Sequence, residues 1–130
     1  VLAHARGRVT IKTPNTDTLD RRLFQKHYWG GLHCPRHWVL FNAENLSALA
    51  QREQFVVEDL WYTQGAPQWT ASILGTLWQK KWLRLPKGKN LAAHWLPLPL
   101  LALSAGFDLM RIPFAKTAQF FIVLKTTEDE

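Results

Sequence analysis

The sequence predicts an α/β fold, because strand patterns and helix patterns alternate along the chain. A strand, a loop, a helix and a second strand follow one another over residues 8–62, which is the order of a crossover between two parallel strands. Residues 118–126 add a last strand, and its five consecutive apolar residues indicate burial on both faces and therefore a central position. Residues 65–116 lie between these strands as a helical insertion or lid, and we expect residues 1–130 to form one domain.

The first strand is predicted from its flanking residues as much as from its own. Residues 1–5 are typical of the end of a helix, and Gly7 stands where a helix C-cap favours glycine. Residues 8–13, with the sequence RVTIKT, then alternate apolar and polar side chains. The polar loop PNTDTLD follows over residues 14–20, and loops after strand ends line the ligand crevice of α/β units.

Residues 23–41, LFQKHYWGGLHCPRHWVLF, form the most unusual stretch of the chain. They combine bulky aromatic residues, three histidines and the only cysteine. Gly30-Gly31 permits backbone angles that other residues avoid, and Cys34-Pro35 disfavours helix. We therefore expect an irregular loop. It either folds over a ligand or is a structural loop whose aromatic side chains fill the core.

A helix and an edge strand are predicted after this loop. Residues 42–53 have apolar side chains at helical spacing, and Asn42 is a suitable N-cap. Residues 55–62 have the composition of a strand. Glu58-Asp59 in the middle of that strand favours an edge position, where charge discourages aggregation.

The lid is predicted to be helical and basic. Residues 68–85 have an amphipathic pattern rich in tryptophan and lysine, and no acidic residue lies between Asp59 and Asp108. Residues 90–107 carry no charged side chain apart from a histidine. This second segment is shorter than the ~20 residues of a membrane span, so we expect a helical hairpin or interfacial segment. Packing of the lid on its own domain is the alternative interpretation.

Composition limits the classes of partner and compartment. The net charge is +6 and the pI is about 9.8, which favours anionic partners such as nucleic acid, phospholipid or a phosphorylated substrate. A single cysteine rules out an internal disulfide and makes a reducing, cytoplasmic setting the expectation, with membrane association also possible for the lid. The first residues do not resemble a signal peptide, and we expect the chain to begin inside a larger protein.

Two segments resemble class I S-adenosylmethionine-dependent methyltransferases. RGRVTIKTPNTDTLDRRLF is similar to that family's fifth strand, which follows a glycine and ends in TPN, and to the loop after it. WGGLHCPRHWVLFNAENLSALAQREQFVV is similar to the subsequent W-x-x-x-H-x-P-x-H-x-x-x-F segment, helix and sixth strand. Residues 118–126 resemble the seventh strand more loosely. Gln54-Phe55 stands where the family often has Gly-Phe, and residues 65–116 match poorly.

The resemblance implies a fold and an activity. The sheet would be the C-terminal part of a Rossmann-like methyltransferase sheet, with strands five, six and seven and the last strand antiparallel and central. The parent protein would transfer a methyl group from S-adenosylmethionine to a small-molecule or lipid-like acceptor. The family's glycine-rich cofactor loop is absent from this chain, so we expect no main cofactor-binding residue here and little activity from the chain alone.

Candidate site residues follow from position and chemistry. Histidine titrates near neutral pH and can accept a proton from an acceptor, so His33 and His37 are candidate catalytic bases. His37 is favoured because it lies nearer the start of the following helix. The expected substrate-binding residues are Asn15, Tyr28, Trp29 and Arg36. Each candidate also has a structural interpretation: a hydrogen-bonded histidine, a turn-forming asparagine, or aromatic packing in the core.

Two alternatives remain from the sequence. His27, His33, Cys34 and His37 are zinc-compatible ligands, but their spacing matches no standard zinc module, so we expect no metal. A non-catalytic basic module rich in tryptophan is the other alternative, with anionic membrane or single-stranded nucleic acid as its partner. The tryptophans follow helical rows with leucine, which favours packing and makes nucleic acid the weaker choice.

Overall fold

The computed structural model describes residues 7–32, 39–83 and 95–127, which form a mixed α/β arrangement of three strands and four helices. The elements are β1 (Arg8–Pro14), α1 (Leu19–Phe24), α2 (Ala43–Arg52), β2 (Phe55–Thr63), α3 (Ala66–Gln79), α4 (Pro97–Arg111) and β3 (Gln119–Thr126). The predicted helix end over residues 1–5 lies outside the described residues.

The sheet has the order β1-β3-β2, and β3 pairs antiparallel with both neighbours. The two outer strands are therefore parallel to each other, as the crossover pattern predicts. Pro14 and Thr63 both pair with Gln119, so β1 and β2 end where β3 begins. The predicted central position of the last strand is observed. β2 is an edge strand, and its register shifts between Val57 and Asp59.

The prediction that the last strand is buried on both faces is wrong. Burial alternates along β3: Phe120, Ile122 and Leu124 are fully buried, and the residues between them are only half-buried. Burial alternates because the two faces of the sheet are covered differently. One face packs under α2, while on the other Trp61 stacks on Phe121 with ring centroids 5.1 Å apart.

α2 follows the sequence prediction closely. The Asn42 side chain accepts a hydrogen bond from the backbone N–H of Asn45 at 2.8 Å, which caps the helix. Leu46 and Ala50, one turn apart, are buried against the sheet and join Phe55 in the core. The helix thus packs one apolar stripe on one face of the sheet.

α1 is a helix that the sequence prediction missed. It begins inside the predicted polar loop and extends two residues into the stretch expected to be irregular, up to Phe24. Its signals are local: the Thr18 side chain accepts from the N–H of Arg21, and Asp20 lies in the first turn.

α3 and α4 form the helical insertion. The predicted helix over residues 68–85 begins earlier and ends earlier, at Ala66 and Gln79. A proline in its first turn suits the helix start, and the backbone turns left-handed at Lys81, φ 59°, just after the end. Residues 84–94 lie outside the described part. Within the described residues, no helix has both the length and the apolar character to cross a bilayer.

Candidate substrate site at the ends of the parallel strands

Asn15 follows β1 directly and lies where the two parallel strands end. Its Nδ2 donates to the carbonyl oxygen of Thr117 at 3.1 Å, and its Oδ1 accepts from the backbone N–H of Asp17 at 3.0 Å. Its own backbone N–H donates to the carbonyl oxygen of Ala118 at 2.9 Å. Asn15 is fully buried. It ties the end of β1 to the start of β3, and both polar ends of its side chain have protein partners.

α1 places a buried carboxylate next to this strand end. The Thr18 hydroxyl donates to the carbonyl oxygen of Asn15 at 3.3 Å, which holds the start of α1 on the strand. Asp20 then points inward, and its Oδ2 accepts from the indole Nε1 of Trp29 at 2.8 Å. Both side chains are buried. The other carboxylate oxygen, Oδ1, has no hydrogen-bond partner among the described residues.

The segment after Trp29 lies directly on α3. The backbone N–H of Gly30 donates to the Ser72 hydroxyl at 2.8 Å, and that hydroxyl donates to the Gln68 carbonyl oxygen at 2.7 Å. Gln68 is 5% exposed, and neither its Oε1 nor its Nε2 has a partner in the described part of the chain. The Gln68 amide is therefore a buried polar group at the start of α3 without a partner in that described part.

Tyr28 and Trp29 are adjacent in sequence but have different surroundings. The Tyr28 ring packs over Gly75 of α3, and the side chain is 43% exposed. Trp29 is buried, with the Arg21 guanidinium 5.8 Å from its ring centroid. Tyr28 is the one of the two that solvent or a ligand reaches directly.

The predicted site residues divide into three groups. Asn15 and Trp29 both contact α1 and lie inside the protein, while Tyr28 lies on the surface of the lid. Arg36, His33 and His37 lie outside the described residues, and their predicted roles stay predictions.

An open pocket of about 290 Å³ lies beside the same strand end. Its lining comes from two segments far apart in sequence: Asp17, Thr18, Leu19 and Arg22 from the first, and Arg111, Ala115 and Lys116 from the second. Three of these side chains are cationic and one is anionic. Glu44 and Asp108, which do not line the pocket, each pair with one of the cations. Such a lining favours a ligand that carries a carboxylate or phosphate group.

Ion pairs already organise the charges in this pocket. The Lys116 ammonium donates to Asp17 Oδ2 at 2.9 Å and to Glu44 Oε1 at 3.3 Å, and Arg22 pairs with Asp17 Oδ1 at 3.1 Å. The hydrogen bond from Lys116 lowers the pKa of Asp17, against a smaller effect of burial. The same bonds raise the pKa of Lys116. Arg111 pairs through NH1 with Asp108 Oδ1 at 3.1 Å.

Sequence reasoning missed the cationic residues of the pocket. Arg111 and Lys116 lie almost 100 residues after Asp17, and no local pattern marks them. A signal was nevertheless present. If the last strand pairs antiparallel with the first, the residues just before the last strand must lie next to the residues just after the first.

No group of three or more His, Cys, Asp or Glu side chains suits a metal ion among the residues that the structure describes. Of the four zinc-compatible residues in the sequence, only His27 is described. Comparison of the chain with protein-family models, with curated proteins and with solved structures found no match.

Proposed function

We propose that this chain forms the substrate-side part of an S-adenosylmethionine-dependent methyltransferase acting on a small-molecule or lipid-like acceptor. The observation that supports it best is the strand order β1-β3-β2, with the last strand antiparallel between two parallel ones. This arrangement resembles the end of the class I methyltransferase sheet. The two segments whose sequences resemble that family's fifth and sixth strands fall on β1 and β2.

The site then lies at the carboxyl ends of the parallel strands, where open α/β sheets bind their ligands. The cationic pocket lined by Arg22, Arg111 and Lys116 lies at this end and favours an acceptor with an anionic group. Asp17 and Thr18 also line the pocket. An acceptor that carries an anionic group fits these features.

We propose that this chain binds the methyl acceptor, shields it from water and accepts a proton from it. The aromatic segment around Trp29 and the helices behind it exclude water from the acceptor, which methyl transfer requires. His37, or else His33, accepts the proton that the acceptor loses. S-adenosylmethionine, when bound, supplies an electrophilic methyl group on a sulfonium. The chain has no glycine-rich loop after a strand, so its own residues do not form a site for that cofactor.

Two measurements test this proposal. The amino-acid sequence encoded upstream of Val1 should have the pattern of a strand followed by a glycine-rich turn. In titration calorimetry, the longer protein that includes this sequence should bind S-adenosylmethionine in a one-to-one complex. The chain of residues 1–130 alone should bind it more weakly than about 1 mM. Failure of the longer protein to bind the cofactor would rule the proposal out. Tight binding by the chain alone would show that our assignment of the cofactor side is wrong.

A basic module that binds single-stranded nucleic acid is the second candidate function. The supporting observation is a cation beside an exposed ring: Lys80 Nζ lies 5.2 Å from the ring centroid of Trp82, and Lys81 is adjacent. Salt-dependent quenching of tryptophan fluorescence by an oligonucleotide would support this function. Unchanged fluorescence at low salt would rule out this function.

A further inference from the structure

α4 has its polar side chains inside and its apolar side chains outside. Ser104 and Asp108 are buried, and Arg111 is largely covered. The outer face of α4, as we call it, consists of residues that are between 46% and 85% exposed: Leu98, Leu103, Phe107, Leu109, Met110 and, just past the helix end, Phe114. A helix on the surface of a water-soluble domain normally has the opposite arrangement.

The outer face is continuous around the helix. With about 100° between successive residues, Leu98 and Leu109 lie on one flank and Leu103 and Phe107 on the other. The exposed positions between these flanks are apolar, glycine or proline, and none is charged. An apolar surface of this width normally marks a contact with a partner or a membrane.

The length of α4 defines the kind of membrane contact that is possible. Its 15 residues span about 22 Å, whereas a bilayer core is about 30 Å thick. A helix that is too short to cross, and apolar over one broad face, lies in the interface with that face toward the lipid tails.

The charges near α4 select the type of lipid. The start of α3 lies at the end of α4, because the backbone N–H of Gly65 donates to Asp108 Oδ2 at 2.8 Å. The opposite end of α3 carries the exposed Lys80 and Lys81. No acidic residue lies between Asp59 and Asp108, and Asp108 itself is fully buried. The exposed surface of α3 and α4 thus combines cations with apolar groups and presents no carboxylate.

Exposed tryptophans complete the pattern. Trp78, Trp82 and Trp95 are 61%, 74% and 72% exposed, and all three lie near the ends of α3 and α4 that are joined by residues 84–94. Tryptophan is enriched at the boundary between lipid headgroups and tails, where one part of the ring system is apolar and the other polar. We propose that the outer face of α4 docks onto an anionic lipid bilayer, with Lys80 and Lys81 contacting the headgroups. This inference does not depend on methyl transfer.

Co-sedimentation with vesicles tests the proposal on the whole chain. Vesicles containing phosphatidylserine should bind the protein at least about tenfold better than vesicles of phosphatidylcholine alone, and added salt should reduce the difference. Lys80→Gln with Lys81→Gln should weaken binding to the anionic vesicles by roughly 25-fold, since each lysine near such a surface contributes about a factor of five. Equal binding to both vesicle types would overturn the proposal.

A pair of variants separates the apolar contact from net charge. Leu103→Glu with Met110→Glu should abolish vesicle binding and leave the melting temperature unchanged, because both side chains are exposed. Val39→Glu with Val56→Glu makes the same change in charge at exposed sites outside α4 and should reduce binding less. If both double variants lost vesicle binding equally, the result would contradict a role for α4. So would negligible vesicle binding combined with a dimer that Leu103→Glu and Met110→Glu dissociate, since the partner would then be a second copy of the chain.

Discussion

Trp69 donates its indole N–H to Asp108 Oδ1, 3.1 Å away, although the two residues are 39 positions apart in the sequence. The same carboxylate accepts from the backbone N–H of Gly65 and from the guanidinium of Arg111. Asp108 is fully buried, so these bonds form away from bulk water. This one side chain therefore joins the start of α3 to the end of α4.

Asp108→Asn should destabilise the protein by about 3 kcal/mol, because an amide keeps one acceptor oxygen and turns an N–H group toward donors. The melting temperature should fall by roughly 10 °C. Asp59→Asn is the matched control: this carboxylate is exposed, and its replacement should change stability by less than about 0.5 kcal/mol. Thermal unfolding followed by circular dichroism compares the two. Equal melting temperatures for both variants would contradict the structural role of Asp108.

Trp29→Phe should cost about 2 kcal/mol, because it removes the N–H donor of a buried carboxylate whose other oxygen is already unpaired among the described residues. Trp78→Phe is the control, since Trp78 is exposed. Chemical denaturation gives both values. A double-mutant cycle with Asp20→Ala should give a coupling of at least about 1 kcal/mol. A coupling near zero would mean that this hydrogen bond does not contribute to stability.

Gly30→Ala and Gly106→Ala should change stability in opposite directions. A Cβ at Gly30 would meet the backbone carbonyl oxygen of Gln68 and lie 2.8 Å from the Cβ of Ala71, so we expect a loss of about 1–3 kcal/mol. A Cβ at Gly106 meets nothing within 4 Å inside α4, so alanine should stabilise the helix by about 0.5–1 kcal/mol. Urea denaturation measures both. A stabilising Gly30→Ala would show that the aromatic segment does not pack tightly on α3.

Asp17→Asn should lower stability only in a defined pH range. The pKa of Asp17 is lowered in the folded state, chiefly by its hydrogen bond from Lys116, so its contribution is present above the unfolded pKa of about 4 and disappears as the pH falls through the folded value. The pKa of Lys116 is raised, so the contribution of the pair is also lost at strongly alkaline pH. Both groups are partly exposed, so water screens the pair and we expect only a small contribution to stability at pH 7.

Denaturation of Asp17→Asn and of the unmodified protein across this pH range checks the prediction. The difference between their unfolding free energies should be flat near neutrality and shrink at both extremes. Lys116→Gln should also lower stability near neutrality, because it removes the pairs of Lys116 with Asp17 and with Glu44. A difference that grows on acidification would have the wrong sign for this ion pair.

His37→Asn in the longer protein should lower turnover by about 10²–10⁴-fold, the usual contribution of a positioned general base, with little change in melting temperature. His37→Gln asks whether a hydrogen bond alone suffices. The control is His27→Asn, ahead of the Gly30-Gly31 pair, which should leave turnover unchanged. Full turnover of His37→Asn would exclude the base role. A large fall in melting temperature at unchanged specific activity would make His37 a structural residue.

Local signals in the sequence were enough to predict much of the sheet and α2. Asn42 and the apolar spacing after it predict α2, Glu58-Asp59 predict the edge position of β2, and the apolar run through Ile122 predicts the central β3. The burial of β3 was overestimated, because residue type alone does not tell how many layers cover a sheet. α1 was missed because a six-residue helix owes its stability to packing rather than propensity.

The candidate site was less predictable because its residues meet across the fold. The sequence places Asn15 at a strand end, but its partner Thr117 is 102 residues away. Trp69 was expected on an apolar row, and its bond to Asp108 depends on how α3 meets α4. Arg111 lines the pocket because the end of α4 lies near the start of α1 in the folded protein. Contacts of this kind follow from tertiary packing, which no local pattern of residues encodes.

The central position of β3 also determines when this protein can fold during synthesis. Among the strands that the structure describes, β1 and β2 are not paired with each other, and each pairs with β3. A ribosome must therefore release residues 119–126 before β1 and β2 can be joined through β3. Until then Ile11 and Phe55 lack the β3 side chains that share their core cluster, and incompletely packed apolar residues of this kind are prone to aggregation. A premature stop before Gln119 would remove Phe120, Ile122 and Leu124 together and leave β1 and β2 without the strand that lies between them.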